Sequence, residues 1–309
     1  MTELADAERL LRERLGTRLR VRFPLAPLTT FRIGGPAALF VEADEDGALE
    51  AVGRAARRTG VPVAVIGKGS NTLVSDEGFP GIVVRLGRGY RWAGRDGDRL
   101  RAGGAMPLPA LAGVAMRHHL AGLEFGVAIP ASLGGAVKMN AGAHGRSISD
   151  VIERIEVYAL AETGRRSLSA TDAGFGYRRS DLASDRIVVG ATAALAPGEE
   201  GEIRSRMEDA RDWRRRTQPL AEPNCGSVFQ NPAGDHAARL IESAGMKGLR
   251  VGGARVSEKH ANFIVADPGA SASDVWHLIE QVRSRVESGS GIRLETEVDL
   301  MGPVADATS

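Results

Sequence analysis

Two glycines separated by a single residue follow a short apolar segment near residue 65. The run after Ile66 reads Gly67-Lys68-Gly69-Ser70-Asn71-Thr72, so apolar residues give way at once to small and polar ones. Successive backbone N–H groups of such a turn can point to one side and bind an anion such as a pyrophosphate. The loop lacks the third glycine of a Rossmann dinucleotide loop, and Lys68 is not followed by the Ser or Thr of a Walker loop. The sequence therefore predicts an anion-binding loop that belongs to neither of the two commonest nucleotide-binding motifs.

A second glycine-rich stretch covers residues 122–145 and contains Gly134, Gly135 and Gly142. Two loops of this kind can enclose one long ligand, because glycine lets the backbone approach the ligand closely. The alternative interpretation is close helix packing through Gly134 and Gly135 and an ordinary turn at Gly142. The presence of both stretches in one chain favours the ligand-binding interpretation.

Side chains that could act on a substrate occur later in the chain. Glu295 and Glu297 alternate with apolar residues in a predicted strand at residues 294–300, so both would face one side of it. Paired carboxylates suit acid–base chemistry, and two glutamates on a solvent face are the alternative. By residue type alone, an arginine such as Arg178 is ordinarily a solvated surface residue, and a serine after a glycine, such as Ser227, ordinarily stabilises a turn.

Hydrophobic periodicity predicts helices and strands that alternate along most of the chain. One helix, over residues 48–60, is predicted to be capped by Asp44 and to stop at Gly60. The tail at residues 304–309 is expected to fray. The other predicted helices lie at residues 2–22, 108–119, 198–213, 237–244 and 275–286, and the predicted strands lie at 61–66, 82–86, 152–160, 187–195, 261–266 and 294–300.

The composition is that of an ordinary globular protein, with 309 residues and 43% hydrophobic content. Lys and Arg number 40 against 39 Asp and Glu, so the formal charge of +1 predicts no general attraction to nucleic acid or anionic lipid. The single cysteine, Cys225, excludes an intramolecular disulfide, shows no mark of a low-pKa thiol and is predicted to be structural. No apolar run approaches the ~18 residues of a membrane span, and the histidines have no metal-ligand spacing. We therefore expect a cytoplasmic protein with no resident metal.

Several motifs, in order along nearly the whole chain, resemble those of the UDP-N-acetylenolpyruvoylglucosamine reductase family, flavoenzymes of peptidoglycan precursor synthesis. Their number and order make a chance match implausible. Besides the two glycine-rich stretches, the motifs are Thr30-Phe31-Arg32-Ile33-Gly34-Gly35-Pro36-Ala37, Tyr177-Arg178-Arg179-Ser180, Asn224-Cys225-Gly226-Ser227-Val228-Phe229-Gln230-Asn231-Pro232, Ser257-Glu258-Lys259-His260-Ala261 and Leu294-Glu295-Thr296-Glu297-Val298.

The resemblance implies an α+β fold. A two-part FAD-binding region of the vanillyl-alcohol-oxidase type is expected at residues 1–200, with lobes at about 1–86 and 87–200. A smaller α+β substrate-binding domain is expected at residues 201–309. The alternation of predicted elements also suggests a boundary near residue 200.

The resemblance further implies the ligands and the residues that bind them. FAD would be the bound cofactor, NADPH the hydride donor, and a UDP-sugar that carries an enolpyruvyl group the substrate. For Lys259 and His260, the alternative to substrate binding is that they order the loop before the next strand. The implied FAD-binding residues are Gly67, Lys68, Gly69, Ser70, Asn71, Thr72, Ile129, Ser132, Gly134, Gly135, Ala136, Asn140, Ala141 and Gly142, and the implied substrate-binding residues are Asn231, Lys259 and His260.

Three catalytic roles are implied by the same resemblance. Arg178 would hold the developing enolate and carboxylate of the substrate with its fixed fork of donors. Ser227 would donate a proton to the substrate carbon, and Glu297 would stabilise the enol as an acid or a hydrogen-bond partner. Gln218 and Gln230 stand where some relatives carry lysines, so the source of positive charge near Ser227 stays open. The residues that could supply it instead are Arg214, Arg215, Arg216 and Lys259.

The chain shows no tyrosine-bearing insertion between Gly190 and Arg204, so it resembles the shorter subtype of the family. Two other functions stay open: an FAD-dependent oxidoreductase of the same superfamily with another substrate, and a flavin-binding protein without catalytic activity. The joint presence of Arg178, Ser227 and Glu297 favours the reductase, because a scaffold needs none of them.

Overall fold

A computed structural model describes residues 2–303, so the predicted frayed tail at residues 304–309 lies outside the described residues. Over residues 2–303 the chain forms the α-helices α1 (Thr2–Leu15), α2 (Asp46–Thr59), α3 (Leu108–Arg117), α4 (Leu133–Lys138), α5 (Glu200–Thr217), α6 (Ala237–Ser243) and α7 (Ala272–Ser290). Short 3-10 helices occur at Gly16–Arg18, Ala26–Leu28, Arg88–Tyr90, Glu124–Ala128, Ile148–Asp150 and Thr171–Ala173.

The strands of the same residues are mostly short. They are β1 (Leu19–Pro24), β2 (Pro36–Ala43), β3 (Val63–Val65), β4 (Thr72–Val74), β5 (Phe79–Leu86), β6 (Ala93–Asp96), β7 (Arg99–Gly103), β8 (Leu120–Ala121), β9 (Gly142–Ala143), β10 (Arg146–Ser147), β11 (Ile152–Ala159), β12 (Gly164–Ser169), β13 (Arg186–Ala194), β14 (Ala196–Pro197), β15 (Arg250–Val251), β16 (Ala254–Val256), β17 (Ile264–Ala266) and β18 (Asp299–Met301).

The chain divides into two compact units, each built from segments that are far apart in sequence. The first unit comprises Met1–Val21, Leu39–Lys68 and Gly81–Trp213, and the second comprises Arg22–Ala38, Gly69–Pro80 and Arg214–Ser309. This division falls inside α5 instead of at residue 200, and it assigns two N-terminal segments to the second unit. The sequence pattern does not predict this assignment of N-terminal segments to the second unit, because the assignment follows from contacts between residues distant in sequence. The functional roles expected for the domains stay predictions.

A five-stranded antiparallel sheet in the order β12-β11-β13-β7-β6 lies at the centre of the first unit. Neighbouring residues of its strands face opposite sides, as strand geometry requires. Val157 and Val188 therefore belong to a core with α3 and α4. Tyr158 and Val189 belong to a separate core with α1 and α2. Because both faces of the sheet are covered, its central strand β13 is apolar and buried over most of its length.

The second unit packs α6 and α7 against the antiparallel sheet β15-β16-β17. The buried positions of α7, including Val275, Leu278, Ile279 and Val282, recur every three or four residues and form one apolar stripe. Leu73 of β4 belongs to the same core, and β4 pairs in parallel with β18, with Leu73 opposite Leu300. The segment from residue 69 to 80 is thereby fixed to the C-terminal part of the chain.

Several predicted helix ends differ from the structure. Asp44 does not cap α2, because the N-cap residue is Glu45 and it forms no side-chain capping bond. Gly60 ends α2 as predicted, with a φ of 74° that suits glycine, and its N–H donates to the Ala56 carbonyl. The predicted helix at residues 2–22 ends at Leu15 and is followed by β1.

The predicted strand at residues 294–300 is regular only over Asp299–Met301. Before β18, an isolated antiparallel bridge joins Thr296 to Phe229. The segment therefore pairs with one partner in the antiparallel sense and then with β4 in the parallel sense, which interrupts any continuous ladder. Glu295 is exposed and Glu297 is half-buried, and neither lies in a regular strand, so the prediction of a strand that carries both carboxylates is wrong.

The first turn of α7 is capped in part by a carboxylate from a distant loop. Asp76 accepts hydrogen bonds from the N–H groups of Ala272 at 2.7 Å and Ser273 at 2.9 Å, and from the Ser273 hydroxyl at 2.7 Å. Ser271 Oγ accepts the N–H of Asp274 at 3.0 Å, so consecutive free N–H groups of the helix start have acceptors.

We expect Asp76→Ala to lower the free energy of unfolding by about 1–2 kcal/mol, because it leaves N–H groups at the start of α7 without an acceptor. Urea unfolding followed by circular dichroism would measure the loss. The control is Glu77→Ala at the next, exposed position, which should change stability by less than about 0.5 kcal/mol. Equal effects of the two variants would contradict the capping role.

Candidate active site

The two glycine-rich stretches meet within the first unit. A Cβ atom placed on Gly67 would lie 2.5 Å from Oγ of Ser132, so the Ser132 hydroxyl in its present rotamer lies against residue 67. Ser132 is the N-cap of α4, and its Oγ accepts the N–H of Gly135 at 3.4 Å. The end of β3 and the start of α4 are therefore neighbours, and their use as two parts of one binding site stays a prediction.

The glycines of the second stretch differ in what they do. A Cβ on Gly134 would lie 2.9 Å from the Val188 carbonyl oxygen, so this glycine permits close packing of α4 on β13. The nearest atom to a Cβ on Gly135 is Ser132 Oγ at 3.4 Å, an ordinary contact distance. A Cβ on Gly142 would lie 2.5 Å from the Arg146 carbonyl oxygen and 2.9 Å from Nη1 of Arg178. Close packing against neighbouring backbone therefore accounts for both Gly134 and Gly142, and Gly142 also lies beside the Arg178 side chain.

Arg178 lies in a tight turn of the first unit. The backbone groups of Gly176 and Arg179 exchange hydrogen bonds of 3.0 and 3.3 Å, and Arg178 has a φ of 55°. A positive φ at the third position of a turn usually requires glycine, so an arginine there is under local strain. Asn140 holds the turn through a 2.9 Å hydrogen bond from Nδ2 to the Gly176 carbonyl.

The neighbouring residues of the same motif have plainer roles. Ser180 donates to the carbonyl of Lys138 at 2.7 Å and so fastens the turn to the end of α4. The Arg179 side chain is 71% exposed and lies 3.5 Å from the Asp181 carboxylate. Arg179 therefore fits the surface role that sequence analysis offers as the alternative for an arginine.

In the second unit, the loop after β3 continues through Gly69 to Asn71. Gly69 has a φ of 58°, and a Cβ there would overlap the Leu28 carbonyl oxygen. Its own carbonyl accepts hydrogen bonds from Thr30 N at 3.0 Å and Thr30 Oγ1 at 3.2 Å. The Thr30 motif thus supports the loop, and glycine is required at residue 69 by both conformation and space.

Ser227 lies on an irregular, half-buried segment whose backbone is held by the side chain of Asn262. The Phe229 N–H donates to Asn262 Oδ1 at 2.9 Å, and Asn262 Nδ2 donates to the Phe229 carbonyl at 2.8 Å. The Val228 N–H donates to the Asn262 carbonyl at 2.9 Å. Sequence analysis did not identify Asn262 as a structural residue. An asparagine within the apolar run at residues 261–266 indicates a buried polar side chain that needs hydrogen-bond partners, and Asn262 is buried.

Glu297 lies beside the same segment. Its N–H donates to the Val228 carbonyl at 2.7 Å, which brings the backbones of the two predicted catalytic residues, Ser227 and Glu297, into adjacent positions. Burial raises the pKa of the Cys225 thiol, and the Glu297 charge raises it further. A raised pKa favours the protonated thiol, which agrees with the structural role predicted for Cys225.

The predicted substrate-binding residues also lie in the second unit. Asn231 is exposed, and its Oδ1 accepts the Ala237 N–H at 3.0 Å, at the start of α6. Lys259 is exposed, and its Nζ donates to the Arg215 carbonyl at 2.6 Å. Nδ1 of His260 accepts the Asn262 N–H at 3.3 Å, and burial lowers the pKa of His260, so its ring favours the neutral form. Each side chain has a structural contact, and substrate binding by them stays a prediction.

Gln218 accepts a hydrogen bond from Nε of Arg214 at 2.9 Å. Arg214 is half-buried, and burial lowers its pKa, although a guanidinium stays charged at neutral pH. A glutamine at residue 218 thus orients an existing cation instead of adding one.

Among residues 2–303, no group of three or more His, Cys, Asp or Glu side chains is arranged to hold a metal ion. No helix in that part of the chain combines the length and apolar character needed to span a membrane.

The fold and the glycine loops agree with a match of residues 37–165 to the family model described as "FAD binding domain". A Phl p 4 variant described as a glucose oxidase shares the fold over 62% of this chain and 44% of its own, with a TM-score of 0.50 at 16% identity. The protein is therefore an FAD-binding protein with an α+β fold.

Residues 218–301 match the model "UDP-N-acetylenolpyruvoylglucosamine reductase, C-terminal domain". The chain belongs to the UDP-N-acetylenolpyruvoylglucosamine reductase family. It is 46% identical to the reductase of Anaeromyxobacter sp. (strain Fw109-5), over 90% of this chain and 87% of that protein. The Heliobacterium modesticaldum reductase is also 46% identical, over 90% and 89% of the two chains. The crystal structure of the Thermus caldophilus reductase has a TM-score of 0.81 and 37% identity, and covers 92% of this chain and 100% of its own.

Two glycines of one loop should respond differently to substitution by alanine. Gly69→Ala should abolish detectable FAD binding or prevent folding, because the backbone conformation and the Leu28 carbonyl both exclude a Cβ. Gly67→Ala should be milder, since Ser132 Oγ can rotate away. Quenching of flavin fluorescence would give the dissociation constants, and thermal unfolding of the FAD-free proteins would separate folding from binding. An equal loss of FAD affinity in both variants would contradict the different constraints assigned to Gly67 and Gly69.

Asn262→Ala should lower the free energy of unfolding by about 2–4 kcal/mol, because it leaves the buried N–H and carbonyl of Phe229 unpaired. Denaturant unfolding measures this loss. Asn231→Ala is the matched control, since it removes one exposed bond at a helix start and should cost about 1 kcal/mol. A smaller loss for Asn262→Ala than for Asn231→Ala would show that water replaces the missing bonds.

Proposed function

We propose that this protein reduces the enolpyruvyl group of UDP-N-acetylglucosamine enolpyruvate to give UDP-N-acetylmuramate, in peptidoglycan precursor synthesis, with NADPH as the hydride donor. The observation that supports this most directly is the 2.7 Å hydrogen bond between the backbones of Glu297 and Val228. It places the segments of a potential acid and a potential proton donor next to each other in the second unit. Membership of the reductase family supplies the substrate class.

The residues of the first glycine loop fit an anionic cofactor group. Within residues 2–303, the backbone N–H groups of Gly67, Lys68, Gly69 and Ser70 donate no hydrogen bond to another protein group, so they are available to a pyrophosphate. We propose that these residues, with Thr72 and the stretch from Ile129 to Gly142, bind FAD. When bound, FAD supplies hydride transfer from NADPH to the substrate.

The chain itself would supply charge stabilisation and a proton. We propose that Arg178 binds the substrate carboxylate, where negative charge develops as hydride arrives at the vinyl carbon. Its backbone is held in the strained turn, and its Nη1 lies beside Gly142, 2.9 Å from the position that a Cβ there would occupy. A lysine would replace the planar fork of donors by a single point charge.

Ser227 is proposed to protonate the carbon adjacent to the carboxylate, with Glu297 as the acid or hydrogen-bond partner of the enol. A serine hydroxyl is a weak acid, so it can act only toward a strongly basic, carbanion-like centre. Asn262 holds the segment of Ser227 rigidly from one side, and the Glu297 backbone holds it from the other. Such rigidity keeps a weak donor in position, which matters because misplacement lowers the rate of proton transfer.

The decisive experiment uses the purified protein with its flavin. A flavin absorbance spectrum should be present, NADPH should bleach it without oxygen, and addition of the enolpyruvyl UDP-sugar should restore it with formation of the lactyl product. A flavin that is bleached and then stays reduced would overturn the substrate assignment and favour another oxidoreductase. A flavin that NADPH does not bleach would overturn the choice of donor.

Ser227→Ala should leave the reduction of the flavin by NADPH nearly unchanged and slow its reoxidation by the substrate about 100-fold or more, because the proton is needed only in the second half-reaction. Stopped-flow absorbance measures the two steps separately. Ser205→Ala, on an exposed position of α5, is the control and should behave as the unsubstituted protein. Equal slowing of both steps by Ser227→Ala would indicate a structural role for this serine.

A further inference from the structure

Asn71 belongs to the first glycine loop by sequence, yet its side chain is directed to the main chain of Glu297. Nδ2 of Asn71 donates to the Glu297 carbonyl at 2.8 Å. The Asn71 carbonyl in turn accepts the Asp299 N–H at 2.9 Å. These residues all belong to the second unit. Asn71 is therefore hydrogen-bonded to the two residues that flank Val298, Glu297 and Asp299.

The contacts of Glu297 show why this bond matters. Its N–H is bound by the Val228 carbonyl at 2.7 Å, and its carbonyl is bound by Asn71. The peptide groups on the two sides of the Glu297 Cα are therefore held by different segments, one that contains Ser227 and one that contains the glycine loop. The direction of the Glu297 side chain follows from the position of these two peptide groups.

The bond to the carbonyl depends on the type of side chain at residue 71. The neighbouring links between β4 and β18 are backbone bonds, and almost any residue could form them. A carboxamide of this length supplies an N–H donor to the Glu297 carbonyl, whereas an aspartate of the same shape supplies none. Asn71 is thus the side chain in this loop whose substitution would release the backbone at residue 297.

We propose that Asn71 is a positioning residue for Glu297, and that it ties the place of the predicted acid to the predicted flavin loop. The proposal rests on the proposed function only for the catalytic role of Glu297. It changes the role expected for Asn71 from the sequence, where this residue is one of the direct FAD ligands. Displacement of a reacting group by about 1 Å can slow an enzyme about 100-fold, so a lost backbone bond is enough to affect the rate.

The kinetic test uses the FAD-loaded protein and a double-mutant cycle. Asn71→Ala and Asn71→Asp should each slow reoxidation of the flavin by the enolpyruvyl substrate by about 10- to 100-fold. Neither should change reduction by NADPH appreciably. In a Glu297→Gln background, Asn71→Ala should cause little further loss, because residues that act as a unit are not additive.

A second measurement needs neither flavin nor activity. Hydrogen exchange of the FAD-free protein should be faster at the amides of residues 297 and 298 in Asn71→Ala than in the unsubstituted protein. Exchange in α7 should be the same in both, which also shows that the variant is folded.

Three results would overturn the proposal: unchanged exchange at residues 297 and 298, additive kinetic losses in the cycle, or loss of FAD affinity with equal slowing of both half-reactions. The last result would make Asn71 a cofactor ligand and no more. If the unsubstituted protein failed to turn over the enolpyruvyl substrate, the proposed function would be wrong, and the exchange experiment would still decide whether Asn71 positions residue 297.

Discussion

The hydrogen bond from the Glu297 N–H to the Val228 carbonyl is the interaction on which the candidate site of the second unit depends. A second bond, from the Gln230 N–H to the Glu295 carbonyl at 2.9 Å, sets the register of the two segments. This register decides which glutamate lies beside Val228: Glu297 is half-buried there and Glu295 is exposed, and a shift by two residues would exchange their positions.

Neither segment is part of a regular sheet, so their remaining backbone groups need other partners. Buried N–H and carbonyl groups without partners destabilise a protein, and irregular backbone is therefore possible only where side chains replace the missing strand. Asn262 does this for Phe229 with both ends of its carboxamide, and Asn71 does it for the Glu297 carbonyl. An asparagine side chain has the same donor and acceptor groups as a peptide unit, which explains why both positions are asparagine.

The glycines of the two glycine-rich stretches look equivalent in sequence, but each is subject to different structural constraints. Gly69 is required by a positive φ and by the Leu28 carbonyl, and Gly134 is required because α4 packs closely on β13. Gly135 meets neither constraint. Composition could therefore indicate a ligand-binding region, whereas the reason for each glycine depends on atoms far away in the sequence. The same holds for Arg178, whose strained turn is stabilised by Asn140.

The sequence alone determined the features that depend on neighbouring residues and on ordered motifs. It predicted the apolar face and the glycine end of α2, the buried strands β11 and β13, the class of cofactor and the reductase family, because periodicity, turn chemistry and motif order are local properties. It predicted a continuous strand around Glu297 and missed Asn262, and it could not assign residues 22–38 and 69–80 to the unit of the C-terminal part. Only the tertiary structure decided these points, because pairing partners, burial and the hydrogen bonds of Asn71 and Asn262 arise between residues distant in the chain, where no local pattern records them.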